Sequence, residues 1–403
     1  MSWASVTLGE VSTNIQTGPF GSQLHQSDYS DGGVPVVMPK DLVDGHISED
    51  SIARASMSHV DRLSRHKIEV GDILYSRRGD VGRCAFATEV EQGWLCGTGC
   101  LRVTIDQSKA IPKFIFYQLQ KAETIGWVEK HAVGSTMLNL NTSILGSVPI
   151  ELPSMAEQQM IVHVLSAYDD LIENNQKQIK LLEEAAQRLY KEWFVDLRFP
   201  GHENVKITDG VPEGWHVVKL SDVADVNKTS ISKQYPYDYV DYVDLGSVSK
   251  GRIETITRFS IQETPGRAKR VASDGDIIWG MVRPNLKSYA LVFHPAATSV
   301  FSTGFAVLSA QKVPFSFLYC YVTQDDFVGY LVNCTNGAAY PAVKPIHFEK
   351  APIMVPTDDL LKQFNLIAKP MYRKIEILEK QIQQAKESRD RLLPKLMSGE
   401  LEV

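Results

Sequence analysis

Apolar residues recur every seven positions between about Met160 and Trp193. Two interleaved sets share this spacing: Leu165, Ile172, Ile179, Ala186 and Trp193 form one, and Tyr168, Asn175, Leu182 and Leu189 form the other. These sets correspond to the a and d positions of a heptad pattern, so they predict a long helix that packs against a second helix along one seam. Such a helix would be roughly 45 Å long at 1.5 Å per residue.

The same pattern returns 203 residues later along the chain. Its members are Ala368, Met371, Ile375, Leu378, Ile382, Ala385, Arg389, Leu392 and Leu396. We expect the two helices to pair with each other and to run antiparallel. An antiparallel pair relates the two halves of the chain by an internal two-fold axis. A parallel pair stays open, because about twenty residues between the first helix and Gly214 could return along its length.

Three residues depart from this regular pattern. Asn175 is predicted to set the register of the helix pair or to contact a partner. Arg389 stands at a seam position where the first copy has Ala186. Pro370 should break or kink the second helix, which we therefore expect to be continuous only from about Met371.

Short extended segments repeat around the two helices in the same order. Glu69-Val-Gly-Asp-Ile-Leu-Tyr-Ser and Ser273-Asp-Gly-Asp-Ile-Ile-Trp-Gly each predict a turn followed by a strand. Each copy continues with a helical segment that begins with proline, at Pro112 and at Pro314. A short strand then leads into the long helix, so the chain is predicted to be a tandem duplication.

This organisation predicts an α/β (α+β) fold with two mixed modules, related by a pseudo-two-fold and separated by a long antiparallel helical pair. The predicted boundaries are residues 1–155 for module 1, 156–199 for the first helical segment, 200–214 for a linker, 215–357 for module 2 and 358–403 for the second helical segment.

Charge and cysteine content narrow the possible functions. With 42 Lys and Arg against 48 Asp and Glu, the formal net charge is -6, so any DNA contact must use local patches. The five cysteines form no CxxC pair and are expected to be small core residues. The sequence shows no export signal and no apolar run long enough to span a membrane, which predicts a cytoplasmic protein.

The sequence lacks the motifs of the catalytic classes that act on DNA. It has no Asn/Asp-Pro-Pro-aromatic tetrad to hold a flipped adenine. It also has no glycine-rich nucleotide-binding turn and no metal-ligand spacing such as HExxH. We therefore expect no catalytic residue, no metal site and no cofactor in this chain.

Candidate DNA contacts lie in the loops whose content differs between the modules. Arg77 and Arg78 can bind phosphate or pair with two acceptors of guanine; alternatively, either one pairs with Asp80 or Asp72. The corresponding loop of module 2 holds Arg283, Asn285, which could read adenine, and Lys287, which suits a phosphate. The remaining candidates are Ser22 and Gln23, whose loop could equally be only a tight turn, and Lys40, Ser135, Lys228, Arg267, Lys269 and Tyr340.

Several motifs together resemble a known family. They are the Gly-Asp-Ile-Leu strand after Val70, Val148-Pro-Ile-Glu-Leu-Pro, Glu157-Gln-Gln, Leu181-Leu-Glu-Glu-Ala-Ala-Gln-Arg-Leu-Tyr-Lys-Glu-Trp-Phe and the ending Leu392-Leu-Pro-Lys-Leu-Met-Ser-Gly-Glu-Leu. In this order they resemble the specificity subunit of type I restriction-modification systems, and the resemblance covers essentially the whole chain.

The resemblance implies a function and a set of partners. Each of two target-recognition domains would read one half of a split double-stranded DNA sequence, and the helical segments would dock two modification subunits and set the spacer. Those partners would bind S-adenosylmethionine and methylate adenine, and a translocating restriction subunit is a further possible partner. The specificity subunit itself would catalyse nothing.

A different class of function stays open. The two modules could form a protein-only adaptor that binds two copies of a partner without reading DNA. Loops rich in Arg, Asn, Gln and Ser favour DNA over that alternative. A steep fall of affinity with salt would discriminate between them, because phosphate neutralisation releases counterions.

Overall fold

The computed structural model describes residues 3–134, 138–232, 234–335 and 341–401. Its contacts divide the chain into two compact units. Unit 1 contains Met1–Glu173 and Ile382–Val403, and unit 2 contains Asn174–Gln381. Each unit therefore combines one strand-rich module with parts of both long helical segments.

Unit 1 is built from short strands and helices. The strands are β1 (Ala4–Thr7), β2 (Ser12–Thr17), β3 (Tyr29–Ser30), β4 (Val34–Val37), β5 (Leu42–Val43), β6 (His46–Ile47), β7 (Ala53–Ala55), β8 (Ile73–Ser76), β9 (Cys84–Phe86), β10 (Leu95–Cys96), β11 (Cys100–Ile105) and β12 (Pro149–Leu152). The helices are α1 (Met57–Arg62), α2 (Pro112–Leu119), α3 (Ala122–His131), α4 (Thr142–Gly146) and the first part of α5 (Met155–Tyr190).

The strands of unit 1 form two four-stranded sheets, ordered β2-β11-β8-β9 and β10-β4-β7-β3, and two pairs, β1-β12 and β5-β6. The largest core cluster includes Ile73, Leu101 and Phe114 and extends to Leu165 of α5 and to Leu396. The α5 helix begins with a capping box, because the Glu157 carboxylate accepts hydrogen bonds from the Ser154 amide and hydroxyl at 2.9 and 2.6 Å.

Unit 2 repeats this framework with different loops. Its strands are β13 (Ile207–Thr208), β14 (Val211–Pro212), β15 (His216–Lys219), β16 (Ala224–Val226), β17 (Tyr239–Val243), β18 (Val248–Ile253), β19 (Thr257–Ser260), β20 (Ala268–Arg270), β21 (Ile277–Gly280), β22 (Tyr289–Leu291), β23 (Ser299–Ser302), β24 (Phe305–Ala310) and β25 (Pro352–Val355). Its helices are α6 (Phe315–Val322), α7 (Asp325–Asn333), α8 (Pro345–Glu349) and most of α9 (Asp358–Met397).

The strand orders confirm the predicted duplication. The sheet β16-β24-β21-β22-β18 of unit 2 matches β2-β11-β8-β9 of unit 1, and the pair β15-β25 matches β1-β12. The turn before the central strand is also repeated. Gly71 and Gly275 have φ values of 89° and 87°, and the carboxylates of Asp72 and Asp276 each accept a backbone hydrogen bond of 2.8 Å from three residues earlier.

Within each unit, α5 and α9 run antiparallel, as predicted. In unit 1, Asp169 of α5 contacts Arg389 of α9 at 2.9 Å. In unit 2, the Asn175 amide donates to Gln381 Oε1 at 3.3 Å, and the rings of Tyr190 and Phe364 lie 6.1 Å apart. The predicted seam residues are buried or half-buried: Leu165, Ile172, Asn175, Ile179, Leu182, Leu189, Trp193, Ile375, Leu378, Ile382 and Leu392.

Two details of the predicted helices are corrected by the structure. The α9 helix is continuous from Asp358 through Pro370, so the prediction of a helix starting near Met371 was wrong. Pro370 and Leu366, four residues earlier, both lie on an exposed side, where water can satisfy the carbonyl that proline leaves without a partner. After the C-terminal end of α5, Trp193 lies in a π-helical turn, Lys191–Val195, with its ring 6.1 Å from that of Phe364.

The cysteines fit the predicted core role. All five are free thiols; Cys84, Cys96, Cys100 and Cys320 are buried and Cys334 is half-buried. Burial raises the pKa of the Cys84, Cys96 and Cys320 thiols to about 12. These side chains therefore pack as small neutral groups.

Arg389 can occupy a seam position because it belongs to an ion-pair network around the buried Asp169 carboxylate in unit 1. The Asp169 carboxylate accepts from Arg389 Nη1 at 2.9 Å and from the Tyr117 hydroxyl at 2.6 Å, and Lys113 Nζ lies 3.6 Å from it. One repeat away, unit 2 has Tyr372 in place of Asp169 and Ala186 in place of Arg389. There the Tyr372 ring packs against Tyr319, with the centroids 5.2 Å apart. The same seam position is thus ionic in one unit and apolar in the other.

Two carboxyl groups on the helix pair of unit 2 are half-buried, Glu183 on α5 and Glu379 on α9. Burial raises the pKa of Glu379 to about 7, although Arg252 opposes the shift. Burial also raises the pKa of Glu183, whose Oε1 would lie 3.4 Å from a Cβ added to Gly251. In the unfolded chain these groups titrate near 4.5, so the folded state binds protons that the unfolded state loses.

Stability is therefore expected to fall with rising pH in this range. The free energy of unfolding should decrease as the pH rises from about 4.5 to about 7 and then level off. Glu379→Gln should remove most of that slope and raise the free energy of unfolding at pH 8 by about 1–3 kcal/mol. Urea unfolding between pH 5 and 8 checks this, with the exposed Glu387→Gln as a control that should keep the wild-type slope. A Glu379→Gln variant with an unchanged slope would contradict the prediction.

Candidate nucleic-acid interface

Strand register brings three loops of unit 1 to one edge of its sheet. Thr17, at the end of β2, pairs with Leu101 of β11. Ser76, at the end of β8, pairs with Cys100, at the start of β11. The loop after β2, the turn before β11 and the loop after β8 consequently lie side by side. We call this edge, with residues 18–23, 77–80 and 97–99, the variable edge of unit 1.

Close backbone contacts hold these loops together. The Gly18 amide donates to the Cys100 carbonyl at 3.0 Å, and the Arg77 amide donates to the Gly99 carbonyl at 2.8 Å. A Cβ added to Gly18 would lie 1.9 Å from the Gly97 oxygen, and one added to Gly99 would meet the Pro39 ring at 2.7 Å. Only glycine permits this approach at these positions.

The loop that carries Arg77 and Arg78 is held at both sides. The Leu140 amide donates to the Arg77 carbonyl at 2.8 Å, and the Gly79 amide donates to the Leu138 carbonyl at 3.1 Å. Arg78 forms an isolated bridge with Asn139. The backbone is therefore fixed while the two side chains stand at the variable edge.

Among the described residues, neither Arg77 nor Arg78 forms an ion pair with Asp80 or Asp72. Asp80 pairs with Arg83 at 2.6 Å, and Asp72 pairs with Arg102 at 3.4 Å. Across the described residues, no carboxylate lies within ion-pair distance of Arg77 or Arg78. Arg77 Nε is buried and has no hydrogen-bond partner among the residues that the structure describes. Burial, followed by the positive charge of Arg78, lowers the Arg77 pKa. Two adjacent cations without an acidic partner suit an anion from outside the chain.

Two of the other candidates in module 1, Gln23 and Lys40, form hydrogen bonds within the chain. Gln23 Oε1 accepts from the Phe20 amide at 3.1 Å, and the Gln23 amide donates back to Phe20 at 2.8 Å, so this loop is a tight turn. Ser22 is exposed on that turn. Lys40 Nζ donates to the Ser51 carbonyl at 2.7 Å and lies 3.8 Å from Asp41. Ser135 is outside the described residues.

Unit 2 has an equivalent variable edge, formed by residues 281–287, 302–304 and 341–343. Gly280, at the end of β21, pairs with Phe305, at the start of β24. The Met281 amide donates to the Gly304 carbonyl, and the Val343 amide donates to the Met281 carbonyl, both at 2.8 Å. The loop after the central strand thus pairs with a later segment in both units.

This second loop contains three of the candidates. The Arg283 amide donates to the Pro341 carbonyl at 2.8 Å, and Arg283 adopts a left-handed φ of 49° that turns the chain into Pro284–Leu286. Arg283 and Asn285 are exposed. Lys287 forms an ion pair with Asp325 at 2.6 Å, so a phosphate would have to compete with that carboxylate.

The remaining candidates of unit 2 lie beside this edge. The Arg267 carbonyl accepts from the Thr303 amide at 2.8 Å, and the Lys269 carbonyl accepts from the Ile231 amide at 2.8 Å. Both side chains are exposed, whereas Lys228 pairs with Asp225 at 3.0 Å. Tyr340 is outside the described residues.

Sequence reasoning missed one prominent residue at the variable edge of unit 1. Phe20 stands at the tip of the tight turn with 54% of its surface exposed. Only the polar members of this loop, Ser22 and Gln23, were expected to contact DNA. The Gly-Pro-Phe-Gly run was the available signal, because an aromatic residue between turn-forming residues is held away from a core.

Neither a metal-binding cluster nor a membrane-spanning helix is found among the described residues. Across residues 3–134, 138–232, 234–335 and 341–401, no group of three or more His, Cys, Asp or Glu side chains is arranged to hold a metal ion. None of the described helices combines the length and the apolar content that crossing a bilayer requires.

Comparisons with known proteins agree on one family. Residues 1–184 match the family model for the type I restriction modification DNA specificity domain. The chain is 27% identical over 390 residues to the type I restriction enzyme MjaIX specificity subunit of Methanocaldococcus jannaschii, which covers 93% of this chain and 88% of the relative. It is 20% identical to the type I restriction enzyme HindI specificity subunit of Haemophilus influenzae, over 99% of both chains.

The fold also matches a solved structure. The type I restriction-modification S subunit from M. genitalium superimposes with a TM-score of 0.61 at 16% identity, covering 98% of this chain and 96% of that chain. That likeness concerns the fold, and the family model and the full-length relatives add the sequence relationship. Residues 1–184 thus match a type I restriction modification DNA specificity domain, and nearly the whole chain is similar to type I specificity subunits.

Proposed function

We propose that this chain is a specificity subunit that binds double-stranded DNA and reads one half of a bipartite target with each module. The observation that carries the proposal is the pair Arg77 and Arg78, held by backbone hydrogen bonds at an edge where neither has an acidic partner among the described residues. Guanidinium groups bind phosphates and pair with two acceptors of guanine in the major groove.

The second module supports the same mode of reading with different residues. Its equivalent loop presents Arg283 and Asn285 from a backbone fixed by the 2.8 Å bond between Arg283 and Pro341. An asparagine amide can pair with two groups of adenine. Because the loops differ while the strands repeat, the two modules would read different sequences.

The helical segments, residues 156–199 and 358–403, would set the distance between the half-sites and dock two modification subunits. Half-sites read from one face of a duplex lie about 34 Å apart centre to centre. Docking is supported by large apolar side chains that stand exposed on the long helices: Leu171, Leu181, Leu366, Ile367 and Ile377. Such side chains are typical of surfaces that a partner covers.

Methyl transfer to adenine would then belong to the partners. The modification subunits would bind S-adenosylmethionine, and this chain would supply sequence recognition without catalytic residues, metal or cofactor. A restriction and translocation subunit would join the same complex, in the cytoplasm, where host DNA is accessible to it.

Mapping of methylated adenines in host DNA tests this function, with the gene intact, deleted, and carrying a module 2 (residues 215–357) from another family member. We expect the intact gene to produce methylation at two short blocks around a fixed gap. Deletion should remove that motif, and the exchange should change one block only. If no motif depends on the gene while modification subunits are expressed, a protein-only adaptor is the better explanation.

A further inference from the structure

Phe20 is the most exposed aromatic side chain among the described residues, with 54% of its surface accessible. A phenylalanine that is half exposed at a loop tip forgoes part of the burial energy that its ring could contribute. In contrast, Phe114, Phe116 and Phe301 are fully buried in the cores of their units. An exposed ring on a turn held by hydrogen bonds is typical of a contact surface.

The backbone around Phe20 is held rigidly. Its amide donates to Gln23 Oε1 at 3.1 Å, and its carbonyl accepts from the amides of Gln23 and Leu24 at 2.8 and 3.3 Å. Arg62 Nη2 donates to the Gln23 carbonyl at 2.9 Å and fixes the far end of the turn. The ring therefore needs little further ordering when it meets a partner.

The location of the turn identifies that partner. Gly18 at its base bonds to Cys100, and Arg77 bonds to Gly99, so Phe20 and the two unpaired arginines occupy the same variable edge. Arginines that draw phosphates to this edge would bring the ring against the duplex. A phenyl ring cannot form ordinary hydrogen bonds with base edges or phosphates, so its favourable contacts with DNA are apolar: packing against a thymine methyl group or stacking on bases.

We propose that Phe20 inserts between two base pairs of the half-site read by module 1 and unstacks that step. The inference rests on the proposed DNA-reading function and deepens it. Insertion of an apolar side chain kinks the duplex and weakens the neighbouring stack. That weakening lowers the energy needed to extrude a nearby base for chemistry by a partner enzyme. Phe20 is thus a positioning residue that acts through the DNA.

The test uses the full chain assembled with its modification subunit and duplexes in which 2-aminopurine replaces successive bases of the mapped half-site. Wild-type binding should raise the fluorescence at one step apart from the adenine that the modification subunit extrudes. Phe20→Ala should abolish that increase and weaken binding about 10-fold, whereas Phe20→Leu should keep much of both. Val90→Ala is the matched control, because Val90 is 63% exposed in the loop after β9, at the opposite edge of the same sheet.

The outcomes distinguish a failure of the proposed function from a failure of insertion. If the wild-type complex does not bind the mapped duplex, the proposed function itself fails. If it binds without a fluorescence increase at any position other than the extruded adenine, or if Phe20→Ala retains that increase, insertion is overturned even though DNA reading stands. Thermal unfolding should be the same for wild type, Phe20→Ala and Phe20→Leu, because the ring is exposed, which excludes a folding defect as the cause of lost binding.

Discussion

A variant with alanine at both Arg77 and Arg78 should bind the target DNA about a hundredfold more weakly than the wild-type chain. A bidentate base contact contributes about 1–3 kcal/mol, and the second arginine adds a phosphate contact. The folded chain should not lose stability, because the substitution removes the buried Nε of Arg77, which has no hydrogen-bond partner, and the repulsion between two adjacent cations.

Affinity measured in increasing salt separates the two roles. The slope of log affinity against log salt should become shallower by about one in the double variant, as expected for one lost phosphate contact. Replacement of both arginines by lysine should restore the slope but not the discrimination between bases, because lysine lacks the planar fork. Lys109→Ala is the control at the opposite edge of the sheet, where Lys109 bonds to Glu10. Equal losses in Lys109→Ala and in the arginine variant would contradict a localised DNA contact.

The sequence was sufficient to predict the repeated framework because short-range sequence patterns determine its helices, turns and strands. Heptad spacing, the Gly-Asp turn and proline at helix starts each have a local physical cause. The turn residues Asp72 and Asp276 form the same 2.8 Å hydrogen bond in both units. Such features recur wherever the same residues recur, so their repetition could be recognised without a structure.

The error at Pro370 shows where local rules stop being sufficient. Proline removes one helical hydrogen bond and strains the preceding turn. The seam residue Ala368 before it and Tyr372 after it are both buried. Their packing holds the helix through the proline, and that tertiary contribution cannot be estimated from the intrinsic preference of one residue.

The site was predictable as a region but not as a set of contacts. The placement of Arg77 and Arg78 in a variable loop followed from the sequence, whereas the engagement of Lys287 with Asp325 and of Lys40 with Ser51 depends on residues distant in sequence. Phe20 was overlooked because exposed aromatic residues are uncommon and no periodic pattern marks them. Side-chain partners of this kind emerge only from the three-dimensional fold.

The second large effect is expected at the buried ionic network of unit 1. Asp169→Ala should lower the free energy of unfolding by about 3 kcal/mol, because the half-buried Lys113 would lose its neighbouring carboxylate and Arg389 would keep the exposed Asp390 in place of a buried partner. Asp169 is 8% exposed, and Arg389 and Lys113 are 18% and 20% exposed. Chemical denaturation of the full chain measures the loss. The exposed pair between Asp61 and Lys67 provides the control, since Asp61→Ala should cost less than about 1 kcal/mol.

The charges of Asp169 and Arg389 are not required for the helices to pair, because the helices also pair in unit 2, where these charges are absent. There Tyr372 and Ala186 occupy the positions of Asp169 and Arg389, and Tyr372 packs on Tyr319 and bonds to the Cys320 thiol at 3.0 Å. A quadruple variant, Tyr117→Phe with Lys113→Met, Asp169→Leu and Arg389→Met, should therefore recover most of the stability lost by Asp169→Ala, because neither a buried charge nor the buried Tyr117 hydroxyl is left unpaired. If the quadruple variant is as unstable as the single one, the loss comes from packing at Asp169 rather than from the cations.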